Sequence, residues 1–559
     1  MSERRHCNLI RVICPWLQRM KRALLIARLA VLPSVLIAAM LLTFVYFPSF
    51  NPLLPPVIAL GLLLITRSAL LSLFVAGVFG VFLLQDAQLA AVPASWWQDH
   101  LVPSLSGRWH IAALVFTLEL AFFATLLERT GALAHLVQRW CHIDSANEKV
   151  GSRLQLSLVG LGFLCFFDGL ANSLIVGRVG SPLADRARVS REKLAYLVDT
   201  TSSAVACVAF LSTWTVTQLS YISTELADSP FETPAYTLFL KSIPANFYCL
   251  ASIFLVILAS WWNWNPPPMN KTAPRKLTPL QAELPPPKFR GPILLLMAFG
   301  PIAILLLSVP FSFWIFGGDG PYPTSIESIQ QAFNTSRGPD ALMLSGAISI
   351  IGVLLLGGGK AWKSILAAFK ALLPVLPALT VLILAWILSS TLKELQTGNL
   401  LAAHLGDRFP LTLLPLGIFL VACLTSFFTG TSWGTMGLMM PIALGTFLSI
   451  LKLQDLSPLE YDHLLPLIIG AVFGGAVFGD HASPFSDTTI ISALACDIKT
   501  TTHVFTQLPY ALLAAAASML IGYLPIFFRV PTIVCLAGVL LAVLIFVLLT
   551  KAKYSENPE

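Results

Sequence analysis

Phe167-Asp168-Gly169-Leu170-Ala171-Asn172-Ser173 and Phe478-Gly479-Asp480-His481-Ala482-Ser483-Pro484-Phe485-Ser486-Asp487-Thr488-Thr489 are two polar stretches set in apolar sequence. On insertion scales a carboxylate at the centre of a membrane helix costs about 2.5–3.5 kcal/mol, and hydrocarbon offers no water to a backbone broken by Gly or Pro. Segments of this kind persist where they bind something. A small cation, a proton or both are the natural candidates.

The composition around them is that of a polytopic membrane protein: 56% hydrophobic, 11% charged, mean hydropathy +0.79. Apolar runs of spanning length dominate. The net charge of +7 is no nucleic-acid signal, because Lys and Arg gather in short loops and tails, as they do on a cytoplasmic face. The nine Cys form no CxxC pair and read as small buried hydrophobes. Gly357-Gly358-Gly359-Lys360 lacks the Ser/Thr and the strand-to-helix setting of a P-loop, and no Gly-x-Ser-x-Gly or His-Glu-x-x-His occurs. An enzyme is therefore not expected, and no cofactor. Arg4, Arg5, Arg11, Arg19, Lys21 and Arg22 precede a run too long for a signal h-region, which predicts an uncleaved first span with a cytoplasmic N-terminus.

Apolar runs at 23–47, 52–66, 68–85, 111–128, 244–262, 291–308, 340–357, 371–390, 504–528 and 531–550 predict spanning helices. Three interrupted stretches remain, 154–213, 411–449 and 464–491. Arg178, Arg186, Arg188, Arg191 and Lys193 place 178–193 inside, while Glu225, Asp228 and Glu232 mark an outer loop. With both ends inside, 154–177 becomes a re-entrant hairpin with its tip near Asp168-Gly169. The stretch 190–213 crosses outward as a helix broken in its middle, at Asp199-Thr200-Thr201-Ser202-Ser203. Lys360, Lys363 and Lys370 lie inside, and Asp455, Glu460 and Asp462 outside. Hence 411–449 is an outer hairpin with its tip at Thr429-Gly430-Thr431-Ser432-Trp433-Gly434, and 464–491 crosses inward, interrupted from Gly479 to Asp487.

The second half thus repeats the first upside down, and Phe166-Phe167-Asp168-Gly169 echoes Phe427-Phe428-Thr429-Gly430. The expected fold is an all-α polytopic membrane protein of about twelve transmembrane helices, an inverted repeat with two re-entrant hairpins and two discontinuous helices. The expected organisation is a tail and first span at 1–51, a first repeat at 52–262, a Pro-rich cytoplasmic linker at 263–290, a second repeat at 291–528, and a last span and tail at 529–559. Both termini are expected in the cytoplasm.

A hard monovalent cation wants carboxylate, hydroxyl, amide and carbonyl oxygens. Broken helices free the carbonyls; Asp168, Asn172, Asp199, Thr200, Thr429, Thr431, Ser432, Asp480, Ser483, Ser486, Asp487 and Thr488 are the candidate cation- and proton-binding side chains. Asp168 and Asp487, the latter with no basic residue nearby in sequence, are read as the pair that holds transported sodium, since the basic residues from Arg178 to Lys193 lie at the cytoplasmic edge. A buried carboxylate that takes either a proton or a cation can exchange one for the other. Asp199 alternatively caps the second half of its broken helix or pairs with Arg191, Asp480 alternatively caps a helix, and His481 is read as a neutral core imidazole. Gly470, Gly474, Gly475 and Gly479 serve close helix packing.

In these motifs the chain resembles the NhaC-type sodium/proton antiporters of bacterial inner membranes, within the broader ion-transporter superfamily. The carrying residues are Phe166 to Gly177, Ser190-Arg191-Glu192-Lys193-Leu194-Ala195-Tyr196 to Asp199, Ser212-Thr213-Trp214, Thr429 to Thr435, Phe478-Gly479-Asp480-His481 to Asp487-Thr488-Thr489, and Thr506-Gln507-Leu508-Pro509-Tyr510. The resemblance covers about 110–530 and implies proton-coupled sodium exchange, sometimes with an organic acid as cargo. Gly169 follows Asp168 where many members carry a second acidic residue. The expected partners are sodium, protons and membrane lipid, with no nucleic acid and with a homodimer left open. The alternative is a sodium- or proton-coupled exchanger of a small organic acid or amino acid, with Thr429, Thr431 and Ser432 as anion ligands.

Overall fold

The computed structural model describes residues 46–133, 135–136, 149–227, 229–274, 292–320, 325–333, 335, 337–405 and 409–554. Most of the run at 23–47, Asp228 and the linker from 275 onward lie outside them. Among the described residues the regular structure is helical, and ten helices are long and apolar enough to cross a membrane, or up to twelve if each bent pair is one span. The chain is a multi-pass membrane protein.

Helices α1 (Leu54–Thr66) and α2 (Ala69–Leu84) are joined by Arg67 and Ser68 alone. Arg67 takes a left-handed φ of 57°, which folds the two helices back against each other. The segment Pro48–Thr66, which ends in α1, is long and apolar enough to span, as expected for 52–66, whereas α2 at 16 residues is about 24 Å long, shorter than the hydrocarbon core that the span expected at 68–85 would cross. Then come α3 (Arg108–Thr130), α4 (Lys149–Leu164) and α5 (Gly169–Arg186). Helices α6 (Arg191–Val208) and α7 (Thr213–Leu226) bend by 40° at their junction, and α8 (Ala235–Ser242) and α9 (Phe247–Trp261) by 48°.

The later helices are α10 (Pro292–Gly317), α11 (Gly338–Lys363), α12 (Leu376–Glu394) and α13 (Thr397–Leu405). They are followed by α14 (Leu414–Thr429), α15 (Ser432–Leu453), α16 (Leu464–Ala482), α17 (Asp487–Ala495), α18 (Thr500–Ala517) and α19 (Thr532–Tyr554). Helices α3, α10 and α11 pack on one another as a flank, where Ser308 bonds the Ser345 carbonyl. The centre is α16, buried along nearly its whole length. Small residues make this possible: a Cβ on Gly470 would meet the Ala245 carbonyl carbon at 2.7 Å, and one on Gly475 the Ala422 methyl at 2.5 Å. At the rim, α19 leaves Ile533, Val534, Leu541, Ile545 and Leu549 exposed, a surface suited to lipid.

The breaks fall close to the polar clusters, with two shifts. Asp199 to Ser203 lie inside α6 rather than at its break, which comes at Ala209–Ser212. The hydroxyls of Thr201, Ser202 and Ser203 donate to carbonyls three or four residues back, at Leu197 and Asp199, and so stay compatible with the helix. Likewise α16 continues through Gly479 to Ala482 and breaks only at Ser483–Ser486.

Loop charges moved as well. Arg178 and Arg186 belong to α5, and Lys193 is buried in the first turn of α6, where Nζ bonds the carbonyls of Ala259 (3.3 Å) and Trp264 (3.0 Å). Glu225, assigned to an outer loop, is a buried residue of α7.

Candidate functional site

Asp168 caps α5: one carboxylate oxygen accepts from the Ala171 amide at 2.7 Å, as its position before a helix start dictates. The other accepts from the Thr213 hydroxyl at 3.1 Å, and the Thr213 amide bonds the Phe167 carbonyl. Thr213 opens α7, so the junction of α4 with α5 is tied to the break between α6 and α7. Asn172, one turn on, donates to the carbonyls of Gly162 (2.8 Å) and Thr201 (2.9 Å) and clamps α4, α5 and α6 together. A Cβ on Gly169 would lie 3.1 Å from the Ser202 carbonyl oxygen, so the contact leaves no room for a second carboxylate there without displacement.

The second junction is built in the same manner. Gly430, with φ 67°, ends α14, and a Cβ there would strike the Phe485 carbonyl carbon at 2.7 Å. Thr431 caps α15, accepting from the Gly434 amide at 3.1 Å. The junction of α14 with α15 therefore sits on the break between α16 and α17. Asp480, in the last turn of α16 and not at a cap, is fully buried; Oδ1 accepts from Ser486 at 2.7 Å, and Oδ2 has no hydrogen-bond partner. The Thr489 hydroxyl bonds its carbonyl. The Ser432 hydroxyl lies beside the Asp480 carboxylate without a bond of ordinary geometry, and Thr429 Oγ1 is also buried without a partner. Ser486 meets Thr488 at 3.1 Å, and Ser483, fully buried, accepts from the Phe485 amide at 3.4 Å.

Asp487 follows the second break. It is the first residue of α17 and shares an exposed face with Ile490 and Leu494, three and seven residues on. Its carboxylate bonds the Thr488 amide at 2.8 Å. Asp480 is the buried carboxylate of this break, with Asp487 at its edge, near enough for their charges to interact.

Asp199 pairs with neither Arg191 nor a helix end. Arg191 instead forms a two-pronged pair with Asp185, at 2.8 Å for each bond. Asp199 accepts from Gln507 (2.9 Å) and His503 (3.2 Å) of α18 and from Ser492 (3.3 Å) of α17. Ser492 also reaches Ser173 of α5 at 3.2 Å. Thr200 is buried and lines a small cavity with Tyr196, Ser252, His481 and Gln507. His481 stands between Ser203 (2.9 Å) and Tyr248 (2.8 Å), hydrogen-bonded on both ring nitrogens.

The two junctions meet through Trp214 and Trp433, whose rings pack edge to face at 6.3 Å. Among the predicted residues, Asp168 and Asn172 group at the first junction, Thr429, Thr431, Ser432, Asp480, Ser483, Ser486 and Thr488 at the second, and Asp199 and Thr200 beside α18. Sequence reasoning gave no role to Thr213, Ser492, His503 or Gln507. The four-residue spacing of His503 and Gln507, which puts both on one face of α18, was a signal available for finding them.

A second omission is Arg67. Its guanidinium carbon lies 3.1 Å from the centre of the Phe485 ring, so the α1–α2 turn brings a basic group to the break that holds Asp480.

A family model described as the Na+/H+ antiporter family matches residues 194–526. An uncharacterized Na(+)/H(+) antiporter of Haemophilus influenzae is 28% identical over 238 residues, 41% of this chain and 43% of its own. The malate-2H(+)/Na(+)-lactate antiporter of Bacillus subtilis is 30% identical over 115 residues, 20% of this chain and 22% of its own. The crystal structure of the YdaH transporter of Alcanivorax borkumensis has a similar fold, with a TM-score of 0.51 at 16% identity, covering 77% of this chain and 89% of that one.

Proposed function

The chain belongs to the Na+/H+ antiporter family, and from that premise we propose that it exchanges sodium for protons by alternating access across a bacterial inner membrane. It is a secondary antiporter rather than an enzyme. The observation that carries the sodium reading is Asp480: a fully buried carboxylate with one unpartnered oxygen, beside the unpartnered hydroxyl of Ser432 and across a close backbone contact from Thr429. Acid and neutral oxygens without a buried cation are what a hard monovalent ion requires, and the same carboxylate accepts a proton. Asp168, bonded by Thr213, is the counterpart at the first junction, and Asp487 stands at the edge of the second.

We read α4–α5 and α14–α15 as re-entrant hairpins related by an inverted repeat, each resting on a broken helix. The pattern of contacts supports this, since α5 packs on α17 and α7 on α15. Loop charge puts the 187–190 turn and both termini in the cytoplasm. In proteoliposomes with an imposed pH gradient, added sodium should collapse the gradient, and apparent sodium affinity should rise with pH as protons leave the shared carboxylates. A gradient that sodium leaves untouched would refute sodium–proton exchange.

A second reading has its own observation. Arg67 over Phe485 supplies a positive group near the site, and the Bacillus relative is named for malate and lactate. Exchange of a small organic acid coupled to sodium or protons is therefore the alternative.

A further inference from the structure

A cavity with room for a single water-sized particle lies between α6, α9 and α18. Thr200 of α6, Ser252 of α9 and Gln507 of α18 line it, each at most 5% exposed. Among the described residues the Ser252 hydroxyl and the Gln507 amide oxygen have no hydrogen-bond partner. Unmet polar atoms in an interior are few and costly, and two of them border this one cavity.

Asp199 fixes which end of Gln507 is free. An ionised carboxylate only accepts, so the amide nitrogen is the atom that meets Asp199 Oδ2 at 2.9 Å, and the oxygen is left over. A carboxylate behind the donor end of a group makes its other end a stronger ligand, as carboxylates do behind metal-bound imidazoles. The other polar neighbours have no proton to give. Ser203 donates to the Asp199 carbonyl, so His481 gives Nε2–H to Ser203 and takes the Tyr248 proton at Nδ1. The Tyr510 hydroxyl, also on the wall, donates to the Trp264 carbonyl at 3.1 Å. The cavity therefore presents acceptors to whatever fills it.

We propose that this cavity is a second sodium site, apart from the one at Asp480, with Gln507 Oε1, Thr200 Oγ1 and Ser252 Oγ as ligands and the Asp199 carboxylate behind them. This rests on the antiport reading above. Neutral oxygens near a buried carboxylate suit a hard monovalent ion. The Lys193 ammonium reaches Tyr510 on this flank at 3.4 Å, but the carbonyls of Ala259 and Trp264 hold it. Both junctions touch the same stretch of α6. Asn172 of the first bonds the Thr201 carbonyl, and Ser203 bonds His481, the neighbour of Asp480 at the second. Asp199 is also near enough to Asp480 for their charges to interact. Helices α6 and α9 each belong to a bent pair, so an ion held between them is placed where the two halves of those pairs meet the rest of the fold.

A water molecule would fill the same space, and counting bound ions separates the two. Equilibrium binding of radiolabelled sodium to the purified full-length protein should give two ions per chain, and one in Asp480→Asn. Ser252→Ala removes a hydroxyl that has no hydrogen bond to lose. Combined with Thr200→Val, it should raise the half-saturating sodium concentration of one of the two ions by roughly tenfold or more. If the double variant does not fold, Ser252→Ala alone should weaken one ion by about threefold or more, and unchanged affinity for both overturns the proposal. A single ion in the wild type that disappears in Asp480→Asn means that the cavity holds water only, which overturns the second site and leaves sodium–proton exchange standing. Two bound ions in a protein whose pH gradient sodium fails to collapse would refute the exchange reading and uphold the site. A wild type that binds no sodium overturns both.

Discussion

His503 Nε2 lies 3.2 Å from Asp199 Oδ2, with both side chains fully buried, and Gln507 reaches the same carboxylate oxygen at 2.9 Å. The pair fastens α18 to α6, and through Ser492 α17 joins it. A carboxylate so held is a joint between moving parts or their rigid core. Either way it loses a donor when the imidazole goes.

His503→Ala should therefore lower unfolding stability by about 1–3 kcal/mol, the usual penalty for leaving a buried group short of a partner. His503→Gln keeps a donor and should recover most of it. Thermal unfolding followed by size-exclusion fluorescence reads the difference. Equal midpoints for wild type and His503→Ala would mean that Gln507 and Ser492 alone hold Asp199.

Gly430 and Gly131 both sit at left-handed φ, 67° and 71°, but only one is crowded. A Cβ at Gly430 would meet Phe485 backbone at 2.7 Å, while nothing lies within 4 Å of one at Gly131. Gly131→Ala should cost only the backbone strain, about 1 kcal/mol. Gly430→Ala adds the displacement of the Phe485 break and should abolish exchange. Equal exchange rates in the two variants would show that the α14–α15 tip tolerates movement away from the break.

Asp168→Asn and Asp480→Asn should each remove coupled exchange while the protein still inserts and purifies. The reasoning differs for the two. Asp480 Oδ2 has no partner to lose, and the amide keeps an oxygen for Ser486, so folding is spared. Asn at 168 still caps α5 as well as Asp does. Asp487→Asn, on an exposed face, should instead weaken sodium affinity and leave turnover measurable. Full exchange in Asp480→Asn would move the site away from the second break.

Much of this arrangement was legible because lipid punishes irregular backbone, so Asp168, Gly430 and Asp480 announced the breaks from sequence alone. Where the reading slipped, the physics was local and invisible to patterning. Thr201, Ser202 and Ser203 looked like a helix interruption, yet each satisfies its hydroxyl on its own helix. Lys193 looked like a loop charge, but the carbonyls of Ala259 and Trp264 solvate it in the interior. Asp487 reads as buried because its polar stretch stands in an apolar context; on α17 it shares an exposed face with Ile490 and Leu494. Arg67 was hidden for a different reason. Its run reads as the gap between two spans, and only the tight α1–α2 turn carries it to Phe485.

That last contact supplies a test between cation exchange and organic-acid exchange. A carboxylate cargo wants a guanidinium or a helix N-terminus facing it, whereas sodium wants acids and neutral oxygens. Asp480, Ser432 and Thr429 are of the second kind, and Arg67 is a basic group that the structure places over this break. If sodium and protons are the whole cargo, purified protein should exchange them with no organic anion present, and Arg67→Gln should change the rate by no more than about threefold, as expected for an exposed charge outside the binding shell. If an organic acid is carried, exchange should appear only on adding malate, lactate or an amino acid, and Arg67→Gln should raise the half-saturating concentration by roughly tenfold or more. Flux that needs the acid and fails without Arg67 would replace sodium–proton exchange with the second reading.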